Sequence, residues 1–155
     1  MASINDIDTQ EATNLFAVRR QCLDIEEWIP QKSQPNTWVA SGGVLNMDET
    51  SANLLVELFF RKSQKTGTAW YKFTVFKRNL WGLERAYQLD IEQFTKKITP
   101  HDLPHEHFGK DRISGERDWA NWSFTESLQH FSRRTKINFL PDVEDPHKSF
   151  SLKVQ

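Results

Sequence analysis

A single cysteine, Cys22, stands in 155 residues. One thiol closes no internal disulfide and supplies no Cys-rich zinc site, which agrees with a reducing compartment and leaves Cys22 as a small apolar side chain. The six glycines form no phosphate-cradling loop, and G-x-S-x-G and H-E-x-x-H are missing, so the P-loop, hydrolase-elbow and zincin readings fall. No run approaches the roughly 20 apolar residues of a membrane-spanning helix. The opening residues MASINDIDTQEATN lack the basic-then-apolar layout of a signal peptide. A cytoplasmic protein with no membrane partner is therefore expected. Excess charge of one sign is also missing: 20 Lys and Arg oppose 21 Asp and Glu, so no global field favours nucleic acid or an anionic surface.

What the sequence does have is aromatic mass and a local charge imbalance. Eleven Phe, six Trp and two Tyr argue against disorder and for one hydrophobic core. No repeat or linker divides the chain. Residues 1–140 read as one domain, and residues 141–155, PDVEDPHKSFSLKVQ, read as a C-terminal tail. Residues 61–80 carry 6 basic and no acidic side chains, against 3 basic and 9 acidic in residues 1–60. Such a block serves either as a nucleic-acid footprint or, more commonly, as charge alternating along solvated strands.

Hydrophobic patterning gives the expected fold. Asp8 with Glu11 has capping-box spacing, and Ala12, Leu15, Phe16, Val18, Cys22, Leu23 and Ile25 make an apolar stripe of imperfect period before Pro30, predicting a helix over residues 9–28. Residues 38–45 read as a short strand with a bulge or turn at Gly42-Gly43. Residues 53–62, 69–78 and 82–91 are β-rich runs joined by short connections, the pattern of an antiparallel meander. Alternation turns Leu54, Val56, Leu58 and Phe60 to one face, with Tyr71, Phe73 and Val75 and then Leu83, Tyr87, Leu89 and Ile91. Ser123 with Glu126 opens a second helix over residues 123–135, with Phe124, Leu128 and Phe131 on one stripe. The expected class is α+β, a meander of four to five strands covered on one face by an N-terminal and a C-terminal helix.

The residues suited to chemistry gather after the meander. His105 and His107 are two apart, so on an extended segment both rings leave the same side. Two such imidazoles serve as an acid and base pair, as two ligands of a metal, or as ordinary hydrogen-bonding groups at a strand end. A zinc site needs further ligands, for which Asp90, His101 and Asp102 are the candidates. No resident cofactor is expected, and a divalent metal at His105 and His107 is the less favoured alternative. Asp90 either orients an imidazole or is a solvated strand carboxylate. Lys110, Arg112 and Arg117 are placed to hold phosphate, unless Asp111, Glu116 and Asp118 neutralise them. Trp119 and Trp122 offer a stacking surface for a base or, more commonly, pack onto the helix that follows.

The order Tyr87-Gln88-Leu89-Asp90-Ile91, then Pro104-His105-Glu106-His107, then Trp119-Ala120 and a helix with Leu128 and Phe131 resembles the TumE-like toxins of bacterial toxin–antitoxin modules and related small bacterial proteins. The likeness covers residues 50–140 and rests on short motifs. It implies site positions at Asp90, His105 and His107, a growth-regulating activity on RNA, and a cognate antitoxin as partner. The long expected N-terminal helix and the acidic Glu106 between the imidazoles depart from that pattern. The leading reading is thus a toxin-like, RNA-acting protein with catalytic Asp90, His105 and His107 and substrate-binding Arg112, Arg117 and Trp119. Its rival is a non-catalytic module that binds a protein through an aromatic-rich surface. Convergence of the imidazoles on one cleft favours the first, and scattered imidazoles with an exposed aromatic patch favour the second.

Overall fold

The computed structural model describes residues 5–93 and 103–148. Helix α1 (Thr9–Leu15) leads into strands β1 (Arg20–Cys22), β2 (Ile29–Pro30), β3 (Thr37–Asn46), β4 (Ser51–Lys62), β5 (Ala69–Asn79), β6 (Gly82–Glu92), β7 (His105–Phe108) and β8 (Asp111–Ser114). A 3₁₀ turn (Arg117–Asn121), helix α2 (Phe124–Thr135) and β9 (Ile137–Phe139) follow. The strands form one sheet in the order β8-β7-β6-β5-β4-β3-β1-β9, with β2 paired to β3 outside that path. Every pairing is antiparallel except the parallel β1–β9 pair at one edge.

The expected sheet of four to five strands under two flanking helices is overturned. Nine strands are present among the described residues, and the helix predicted over residues 9–28 stops at Leu15. Asp8 stands at the N-cap, but its side chain makes no capping bond. Ala12 and Phe16 bury against the sheet, whereas Val18 beyond them is exposed in a bend and the chain enters β1 at Arg20. Cys22 is buried in β1, and the Glu26 N–H bonds Ser41 O at 2.9 Å, tying this stretch to β3. The imperfect period of the stripe was the mark of that change from helix to strand.

Gly42-Gly43 makes no turn, because β3 runs straight through it and the register shift falls between Val44 and Leu45. Gly42 is a close-approach site. A Cβ there would lie 2.9 Å from Cys22 Sγ and 3.0 Å from Ile25 Cα.

The core lies on one face of the sheet. Leu54, Val56, Leu58 and Phe60 of β4, Tyr71, Phe73 and Val75 of β5, and Tyr87, Leu89 and Ile91 of β6 are all buried there, each large side chain contributing about 1.5–3 kcal/mol. Leu83 was expected among them but is exposed. A shift between Val75 and Phe76 pairs Val75 with Tyr87 and Phe76 with Arg85, so Ala86 is the extra residue that reverses the alternation. Helix α2 covers this face through Phe124 and Phe131, each 5.8 Å from the Phe73 ring. A complete Ser123–Glu126 capping box starts the helix, and Lys136 ends it in a left-handed conformation.

Residues 141–148, part of the expected tail, pack onto the core. Trp28 Nε1 donates to Glu144 O at 2.7 Å, and His147 Nε2 lies 2.7 Å from the Tyr71 hydroxyl. Burial and the neighbouring Lys62 charge lower the His147 pKa.

Candidate functional site

Strand β7 is four residues long and presents two chemistries. Its register sets His105 opposite Asp90, Glu106 opposite Leu89 and His107 opposite Gln88. Leu89 belongs to the core face, so Glu106 points under α2 while His105 and His107 point to the opposite face. There the pairings line up two rows across the sheet. Val39, Phe59, Lys72, Asp90, His105 and Ser114 form one, and Ser41, Glu57, Thr74, Gln88, His107 and Arg112 form the other.

The two imidazoles meet edge to face with centroids 5.0 Å apart. His105 Nδ1 lies 3.2 Å from Leu103 O and its Nε2 faces Asp90 Oδ2 at 3.7 Å, so the ring stands between two acceptors. Asp90 is itself held by Trp70 Nε1, which donates to Oδ1 at 2.8 Å. His107 makes no hydrogen bond with any described residue, although its ring is half-buried. Burial, then the Arg85 charge and His105, depress its pKa from 6.5 to about 4, so it is a neutral base at pH 7. Arg85 is clamped by Asp6 through bonds of 2.6 and 3.1 Å, and it also donates to Gln88 Oε1 at 3.0 Å. Lys72 sits over the Phe59 and Trp70 rings, 4.8 and 5.2 Å from their centroids.

Asp90, His105 and His107 therefore come together on one face, with Arg112 across from His107 in register but exposed. The other expected residues do not join them. Trp119 stacks on Trp122 at 4.7 Å and leans on His130 of α2 at 4.8 Å, on the helix side of the sheet. Arg117 is exposed on the 3₁₀ turn, and Lys110 pairs with Asp8 at 3.1 Å. His101 and Asp102 lie outside the described residues. Among the described residues no three His, Cys, Asp or Glu side chains converge as a metal site.

Sequence reasoning missed the group on the other side of β7. Glu106 is 4 % exposed, and its Oε1 accepts from the Tyr87 hydroxyl, from His130 Nε2 at 2.8 Å and from Arg134 Nε at 3.0 Å. Burial pushes the Glu106 carboxyl up, but the bonds from His130 and Tyr87 and the Arg134 charge outweigh it and hold the carboxyl below its usual range. Burial, and then Glu106, pushes the Tyr87 phenol well up. Two signals pointed here: alternation assigns Glu106 to the apolar face, and His130 and Arg134 stand one helical turn apart.

No family model matches this chain, and neither characterised proteins nor solved structures match it. No described helix is long and apolar enough to cross a membrane.

Proposed function

We propose that this chain is a toxin-like protein that cleaves RNA through His107 as general base and His105 as general acid. The observation that carries the reading is the pairing of a neutral imidazole with no hydrogen bond to any described residue, His107, with an imidazole set against a carboxylate, His105 against Asp90. RNA is the substrate such an acid–base pair suits, because its 2′-hydroxyl is an internal nucleophile. His107 takes the 2′-hydroxyl proton, O2′ forms a bond to phosphorus, the bond to O5′ breaks, and O5′ takes a proton from His105. The products are a 2′,3′-cyclic phosphate and a 5′-hydroxyl. Asp90 orients His105, and Lys72 and Arg112 supply positive charge for the phosphate. The toxin role and its antitoxin partner rest on the resemblance in the Asp90, His105 and His107 motifs.

The test is incubation with single-stranded RNA, or DNA of the same sequence, in a chelator, alongside expression in growing bacteria. RNA is expected to be cut and DNA spared, with growth slowed, and His107→Ala should lower the rate by about 10²–10⁴-fold. Intact RNA with normal growth, or a fully active His107→Ala protein, would overturn the reading.

One observation favours the rival, a protein-binding module. Leu80 and Trp81, at the β5–β6 turn, are 95 % and 92 % exposed, and the turn is ordered by Asn79 Oδ1, which accepts from the Trp81 N–H at 2.8 Å. An exposed Trp on a fixed turn suits an interface anchor. On that reading, Trp81→Ala leaves RNA cleavage absent as in wild type and abolishes co-purification of a single protein partner. If Trp81→Ala retains the same partner, this second reading fails.

A further inference from the structure

We infer a phosphate-binding site where the end of α2 meets the start of β1, at Arg19, Arg133 and Lys136. These three cations, with Ser132 and Asn138, line a depression of about 380 Å³ with no carboxylate among its described lining residues. None of the three is ion-paired to a described residue, in a protein whose acidic and basic side chains nearly balance. The helix dipole accounts for positive charge at Arg133 and Lys136. It does not account for Arg19, which arrives from a distant part of the chain.

The site is assembled by the backbone. Arg20 N donates to Lys136 O at 3.0 Å, and Lys136 N donates to Ser132 O at 2.8 Å. Lys136 has φ 57°, a left-handed position that glycine or asparagine usually fills at a helix end. That conformation brings its Nζ to 3.5 Å from Ala17 O, beside the segment that carries Arg19. Two guanidinium forks, an ammonium and the neutral Ser132 and Asn138 supply many donors to one small volume, which suits the several oxygens of a phosphate group. Four strands separate β1 from β7 in the sheet, so the site lies roughly 24 Å of strand spacing from the His pair and does not depend on its chemistry.

Calorimetric titration of the whole chain with inorganic pyrophosphate is the test, with a short single-stranded DNA as a second arm. One pyrophosphate per chain is expected. Arg19→Gln/Arg133→Gln/Lys136→Gln should weaken binding about tenfold or more, and Lys32→Gln/Lys65→Gln, exposed cations elsewhere, should leave it within about twofold. If the triple variant fails to fold, Arg19→Gln alone, which leaves the helix end intact, should still weaken binding several-fold. Both results in the DNA arm support the site. Competition by DNA makes a nucleic-acid backbone the source of the phosphate, and no competition makes it a small phosphate compound. Absence of binding at millimolar pyrophosphate, or equal weakening in the control variant, overturns the proposal.

Discussion

Neighbouring residues of β7 live in opposite surroundings. Glu106 is buried with three donors on one oxygen, while His107, the next residue, has no hydrogen bond to any described residue. A carboxylate so fully satisfied is fixed in place and has little capacity left for a substrate. An imidazole that bonds no described residue is free to take a proton from something that arrives. The buried side thus anchors the strand, and the open side is where chemistry is expected.

The comparison sharpens most at Glu106. Glu106→Ala would leave Tyr87, His130 and Arg134 without their acceptor and should cost roughly 3 kcal/mol in urea unfolding, the low end for a broken buried pair because Arg134 is partly exposed. A loss below about 1 kcal/mol would mean that the three donors find water easily and that the anchor is weak.

Acidification separates the two sides by pH. The folded pKa of His107 lies below its ordinary 6.5, so on acidification the unfolded chain takes up the proton first. Its contribution to stability is complete above pH 6.5 and is lost as pH falls towards about 4. Glu106 is also lowered, so its contribution is complete above 4.5 and is lost only below that. Melting temperature should therefore drop between pH 7 and pH 5, and His107→Gln should flatten that drop without abolishing it, since His147 is lowered too. An unchanged slope in His107→Gln would show that His107 is not held neutral.

The smallest effect is expected at pH 7 for His107→Ala, about 0.5 kcal/mol in the same unfolding measurement. A loss as large as that of Glu106→Ala would erase the distinction between an anchoring side and a reactive side.

The three central strands were legible because alternation over ten or more residues is a strong local signal, as was α2 through Ser123, Glu126 and its apolar stripe. The short strands β1, β2 and β9 were not. Two or three residues carry no periodicity, and their pairing is set by partners far along the chain, such as Phe139 beside Cys22. At the site, the spacing of His105 and His107 fixed their shared side, and register then placed Asp90 beside His105. Trp119 and Arg117 lie away from the His pair, because proximity in sequence says nothing about which side of the sheet the 3₁₀ turn follows. Glu106 was noticed only as a departure from a pattern, although a carboxylate on the apolar side of a strand requires buried donors.

The parallel pairing of β1 with β9 also has a kinetic meaning. The hairpins of β3 to β6 close over short loops, whereas joining Arg20 to Ile137 closes nearly the whole chain, so this seam carries more loop-closure entropy than the hairpins and is expected to form after them. Arg19, Arg133 and Lys136 flank that seam. An anion held there would bind only the finished fold and would slow its reopening, acting as a clasp on the two ends of the chain.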